Sequence, residues 1–172
     1  IGRNASLFSS EPTISIADPD PAQPNFQGDA KMMLMMDPPE HTIYRKLISR
    51  EFTQGPVREY NRRIEQLATD IVDAVIDRGE CEFVSEVAGE MPSFVIADLM
   101  GIPLSDGREL YKLTEIIHSA PETQAENAAA NAVRKMFEYG QGVIDTKRAK
   151  PSEDLASKLL SAEIDGRKLT DY

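Results

Sequence analysis

The chain has 172 residues with 29 acidic and 19 basic side chains, a net charge of −10 and one cysteine. That length suits a single core, the acidity argues against holding nucleic acid through bulk charge, and one thiol excludes an internal disulfide or a multi-thiolate metal site. The longest uninterrupted apolar run is Met32 to Met36, too short to cross a membrane, so a cytoplasmic protein is expected.

Residues 1–36 read as loop-rich. Pro12, Pro19, Pro21 and Pro24 recur too often for a long helix, and only a single turn is expected around Leu7 and Phe8. From residue 37 to 172 the pattern is helical, giving a mainly α fold. Asp37-Pro38-Pro39-Glu40 reads as a start, with Asp37 as N-cap, Pro38 in the first helical position and Glu40 completing a capping box, for a helix to about Glu51. Thr53-Gln54-Gly55-Pro56 breaks it. A longer helix is predicted from Val57 to Arg78, because Ile64, Leu67, Ala68, Ile71, Val72 and Val75 form one stripe of helical period, and Gly79 stops it.

Glu80 to Val84 reads as extended. A helix through Val87, Met91, Phe94, Val95, Ile96 and Leu99 follows, with Pro92 near its start and Gly101-Ile102-Pro103 at its end. Ser105 is expected to cap a helix through Leu110, Leu113 and Ile117, broken by Pro121. Another carries Val133, Met136, Phe137, Gly140, Val143 and Ile144, and a last one spans Ser152 to Glu163. Asp165-Gly166 supplies a tight reversal, and Thr170-Asp171 looks like the N-cap of a further helix.

Few residues carry chemistry. His41 and Arg45 stand one turn apart on a helical face, where both donate to a carboxylate or phosphate lying across it; the plainer reading is a charged surface helix. Lys46 and Arg50 repeat that spacing on a neighbouring face, so this helix is locally basic in an acidic chain. Met32 to Met36 holds four of the seven methionines, either as adaptable packing or as a soft wall beside an apolar ligand. Cys81 lies between Glu80 and Glu82, whose charge disfavours a thiolate. His118 lies near a helix end. No phosphate loop, dinucleotide fingerprint, zinc-protease motif or serine-hydrolase elbow is present.

Met35-Met36-Asp37-Pro38-Pro39-Glu40-His41-Thr42-Ile43-Tyr44-Arg45-Lys46-Leu47, continuing to Phe52-Thr53, resembles the opening of the C helix in bacterial cytochrome P450 monooxygenases. Leu7-Phe8-Ser9-Ser10 resembles the Phe-Ser-Ser after that family's B helix. Gly79 to Val84, with Pro92, Ile96, Leu99 and Gly101-Ile102-Pro103, is similar to the stretch through its E helix. Asp154-Leu155, Ile164-Asp165-Gly166 and Leu169-Thr170-Asp171 resemble the approach to its I helix. The motifs occur in order along essentially the whole chain, which implies one partial domain of the cytochrome P450 fold over residues 1–172.

The resemblance implies a haem cofactor whose propionates His41 and Arg45 hold. It implies a distal pocket lined by Met32, Met33 and Leu34, and a substrate lid that includes Ile117, His118 and the stretch from Pro121 to Ala132. It also implies a docking face for a ferredoxin or flavoprotein reductase that includes Lys46 and Arg50. The family's thiolate loop and its oxygen-activating acid–threonine pair have no counterpart here: Cys81 lacks the loop's surroundings, and Ala88-Gly89-Glu90 continues with Met91-Pro92. Glu59-Tyr60-Asn61-Arg62 spells the family's Glu-x-x-Arg pattern on the wrong helix and reads as coincidence. The expected whole is therefore a haem-thiolate monooxygenase hydroxylating an apolar small molecule, a sterol or lipid by motif flavour, with no catalytic residue or metal ligand in this chain, which alone is predicted inactive. The alternative is a stand-alone helical ligand-binding or regulatory domain of the same descent.

Overall fold

Apolar stripes of helical period, punctuated by proline and glycine, produce six α-helices and one short hairpin among the described residues, which are 4–11, 32–119 and 127–170 of a computed structural model. The helices are α1 (Glu40–Ile48), α2 (Gln54–Ile76), α3 (Glu90–Met100), α4 (Leu104–His118), α5 (Ala128–Ala149) and α6 (Leu155–Ser161). The hairpin pairs β1 (Glu163–Ile164) with β2 (Arg167–Lys168) in antiparallel register. Its reversal at Asp165 and Gly166 has both residues at positive φ, as the Asp-Gly pair predicts. The prolines at 12, 19, 21, 24 and 121, and Asp171, lie outside the described residues.

The predicted stripe on α2 supplies the core in part: Ile64 and Val75 are half-buried, while Ala68 and Val72 are exposed. Leu67 is fully buried and Ile71 nearly so, and both pack against Phe94 of α3, with Val87, Met91, Val95 and Leu104 around them. Helix α2 begins three residues earlier than expected. Thr53 is extended, so the break falls there, while Gly55-Pro56 form the first helical turn, where a proline loses no hydrogen bond. Pro92 occupies the same kind of position in α3.

Helix α3 is the hub, in contact with α2, α4 and α6. It stops at Gly101, whose φ of 66° supplies the left-handed cap. Helix α4 then crosses α3 closely at Gly107, where a Cβ would come within 2.8 Å of the Ser93 carbonyl oxygen and 2.9 Å of the Ala97 methyl. Polar clips reinforce the hub. The Arg63 guanidinium donates from Nε and NH2 to Asp98 Oδ1 at 2.8 and 2.7 Å, and the Tyr60 hydroxyl donates to Asp98 Oδ2 at 2.5 Å, joining α2 to α3. Arg108 pairs with the buried Glu90 and lies 5.4 Å from the Phe94 ring centre. Tyr139 donates to Asp106 at 2.7 Å, joining α5 to α4.

Four further expectations are corrected. Helix α1 starts at Glu40 rather than Pro38, and no side chain caps it at Pro39. The Asp37 carboxylate is turned instead to the 4–11 segment, accepting from Ser9 Oγ at 2.5 Å and Ser10 N–H at 3.1 Å. The segment read as extended before Val84 leads into a π-helical turn, Val84–Ala88, with Gly89 N–H reaching the Val84 carbonyl at 2.7 Å. A reciprocal cap precedes it, which period counting misses: Glu82 accepts from Ser85 N–H at 2.7 Å while Glu86 accepts from Glu82 N–H at 2.7 Å. The last helix is shorter than Ser152 to Glu163. Asp154, not Ser152, is its N-cap, accepting from Ser157 N–H at 2.8 Å, and α4 begins one residue before Ser105, after Pro103.

Candidate functional site

Helix α1 has nine residues and none of them is buried. Its inner face rests on the 3-10 turn Met33–Met35, on α6 and on the 3-10 turn Ser49–Phe52 that continues it. His41 is half-buried and Arg45 exposed one turn on, and neither side chain meets a hydrogen-bond or ionic partner among the described residues. Two donors one turn apart, without a partner among the described residues, suit a pair of carboxylates or a phosphate.

Apolar surface lies open in the segment before it. Met32 and Leu34 are exposed and Met33 half-buried, while Met36 turns into the protein. The methionine run therefore divides: its end packs and its beginning faces outward. A flat apolar group bearing two carboxylates would find donors on α1 and soft thioether contacts in the run preceding it, so these residues fit a haem.

Lys46 and Arg50 are exposed on the same segment, and α2 adds exposed Arg58 and Arg62. Residues 41–63 hold six basic side chains (Arg45, Lys46, Arg50, Arg58, Arg62, Arg63) against two acidic ones (Glu51, Glu59), in a chain of net charge −10. Arg63 is spent on Asp98 and Glu51 on Lys158, one charge of each sign, so the basic excess of the segment persists among the remaining side chains. The two arginines of α2 were missed by sequence reading; a running charge count across the helix boundary reveals them.

Ile117 is half-buried at the end of α4, and His118 is exposed with Nδ1 2.8 Å from the Thr114 carbonyl oxygen. Of the stretch from Pro121 to Ala132, Asn127 is left-handed and Ala128 onward is helical; the rest lies outside the described residues. Cys81 is exposed. Among the described residues no cluster of histidine, cysteine or acidic side chains could hold a metal ion, and no helix is long and apolar enough to cross a membrane.

A groove of about 370 Å³ lies elsewhere, between the Ser49–Phe52 turn, α2, α3 and the start of α6. Its walls are apolar, with Phe52, Val57, Ile64, Val95 and Leu99, and three of its four carboxylates are committed: Asp98 to Tyr60 and Arg63, Asp154 to Lys147 and Glu51 to Lys158. Burial alone would raise the Asp154 carboxyl, but hydrogen bonds from Lys147, Ser152 and Ser157 outweigh it and hold the group far below the usual carboxylate range. Burial and the bond to Asp98 together push the Tyr60 phenol above its ordinary value. These groups lock helices together; they are not poised for proton transfer.

No family model matches the chain. Individual proteins do. A steroid C26-monooxygenase of Mycolicibacterium smegmatis is 32% identical over 173 residues, covering 98% of this chain and 41% of that protein. A cytochrome P450 of Saccharopolyspora erythraea is 36% identical over 152 residues, covering 87% of this chain and 36% of the relative. Among solved structures, a Mycobacterium marinum cytochrome P450 in complex with pseudoionone superposes with a TM-score of 0.76 at 29% identity, over 85% of this chain and 37% of that one. A myxobacterial cytochrome P450 in complex with myristic acid gives 0.71 at 34% identity, over 81% and 35%. The chain spans about two fifths of the length of the curated relatives it matches. In sequence along nearly its whole length and in its helical fold, the chain belongs with the bacterial cytochrome P450s and carries part of that fold.

Proposed function

We propose that the chain is the cofactor-gripping and pocket-lining part of a haem-thiolate monooxygenase acting on an apolar small molecule. The observation that carries this reading is the match of 98% of the chain to a monooxygenase of this family, with two donors that have no partner among the described residues in the segment that precedes α2. When bound, the haem supplies oxygen activation, its iron held by a cysteine thiolate that this chain does not provide.

The residues here have narrower tasks. His41 and Arg45 donate to the two propionates and set the depth and tilt of the ring through charge-assisted hydrogen bonds. Met32, Met33 and Leu34 exclude water from its distal side and offer apolar contact to the substrate, with Ile117 and His118 at the lid. Lys46 and Arg50, extended by Arg58 and Arg62, attract an acidic electron donor, a ferredoxin or flavoprotein. The substrate class closest to hand is a sterol or lipid, in keeping with the steroid C26-monooxygenase relatives.

The test is the full-length protein, purified, reduced and exposed to carbon monoxide. A Soret band at the long wavelength of thiolate-ligated haem is expected. A protein that takes up no haem, or shows only a histidine-type spectrum, would favour the stand-alone helical binding domain instead.

A further inference from the structure

No residue of α1 is fully buried and its packing rests on half-buried Tyr44, Leu47 and Ile48, yet α1 carries the two donors whose geometry matters most. Polar ties at both ends add to that packing. Before it, Asp37 grips Ser9 and Ser10. After it, the chain runs without a break into the Ser49–Phe52 turn, with Ser49 N–H donating back to the Arg45 carbonyl. From that turn Glu51 Oε2 accepts from Lys158 Nζ at 2.7 Å, across 107 residues of sequence.

Lys158 is a firm anchor because α6 is seated at its base. Ser157, the preceding residue, is buried, and its N–H and hydroxyl meet Asp154 and Ser152 N–H at 2.8 and 3.0 Å. Asp154 is held by the buried Lys147, which also donates to the Gly101 carbonyl at the end of α3 at 2.8 Å. A continuous set of contacts therefore runs from the hub helix, through α5 and α6, to the turn that ends α1.

We propose that Glu51 and Lys158 are positioning residues: their ion pair fixes the orientation of α1 and thereby aims His41 and Arg45. This rests on the reading of those two donors as the propionate grip. Glu51 and Lys158 touch neither cofactor nor substrate in this account; they act through the helix.

The test is haem release from the full-length protein to excess apomyoglobin, followed in wild type, Glu51→Gln, Lys158→Met and Lys158→Arg, each with and without His41→Ala/Arg45→Ala. Glu51→Gln and Lys158→Met are expected to speed release by about two- to fivefold, the scale of a partly exposed ion pair, while Lys158→Arg, which keeps the charge, stays near wild type. In the His41→Ala/Arg45→Ala background the same substitutions should change nothing further, because nothing is left to aim. Wild-type release from Glu51→Gln and Lys158→Met, while His41→Ala/Arg45→Ala releases fast, would overturn the positioning role alone. The same increase in both backgrounds would reduce the pair to general stability and overturn it too. Wild-type release from His41→Ala/Arg45→Ala would overturn the propionate reading, and this inference with it.

Discussion

The junction of α2, α3 and α4 and the helix α1 are built on opposite principles. At the junction, Leu67 and Ile71 are buried against Phe94, Gly107 lets two backbones nearly touch, and the charged groups present are paired. Helix α1 has no fully buried residue, and its half-buried histidine and exposed arginine meet no hydrogen-bond or ionic partner among the described residues. Scaffold stability and site chemistry are thus separated in the sequence. The junction spends polar groups on holding helices together, while His41 and Arg45 of α1 take no part in such ties among the described residues. Loosening the first should unfold the protein, and changing the second should alter binding while the fold survives.

The sharpest way to break that contrast is at the buried ion pair. Lys147→Met leaves the Asp154 carboxylate buried and unpaired, and should destabilise the full-length protein by about 3–5 kcal/mol in denaturant unfolding. The same carboxyl sets an acid limit. Its folded value is depressed, so between the folded and unfolded values the unfolded chain binds more protons and stability rises with pH. Its contribution is complete above about pH 4, the unfolded range of an aspartate, and should fade as pH falls below that. An acid titration of the Lys147→Met variant should show a shallower loss than wild type.

Leu67→Ala comes next, at about 2–5 kcal/mol for the lost burial and the cavity left behind, read from the same unfolding curves. Lys46→Ala on α1 lies at the other extreme. Its side chain is exposed, so the expected change in stability is within about 0.5 kcal/mol, while association with an acidic electron donor should weaken and lose part of its salt dependence. A large stability loss from Lys46→Ala would erase the distinction between the two regions.

What could be read in the sequence follows from how local each feature is. The stop at Gly101 and the Asp-Gly reversal depend on neighbours within a turn and appear where expected, whereas the α2 stripe is buried at Leu67 and Ile71 and leaves Ala68 and Val72 exposed. The spacing of His41 and Arg45 also survives folding, because α1 covers both. Asp37 misled because the start was counted from a capping pattern, whereas its carboxylate meets a serine pair 27 and 28 residues earlier. The Lys147–Asp154–Gly101 cluster and the Glu51–Lys158 tie join residues far apart in the chain, and no periodicity announces them. Lys147 in particular looks like one more basic residue at the end of a helix, a position usually solvated. The reciprocal cap before the π-helical turn was hidden because Glu82 and Glu86 act through carboxylates reaching to backbone N–H groups.

The central claim is that α1 presents His41 and Arg45 to the propionates of a haem. The most direct measurement is the haem release rate of full-length His41→Ala/Arg45→Ala against wild type, with the unfolding midpoint of the haem-free protein measured alongside. Loss of two charge-assisted hydrogen bonds predicts release faster by about tenfold or more, with the haem-free midpoint unchanged. Release at the wild-type rate, or a fall in the haem-free midpoint matching that of Leu67→Ala, would contradict it.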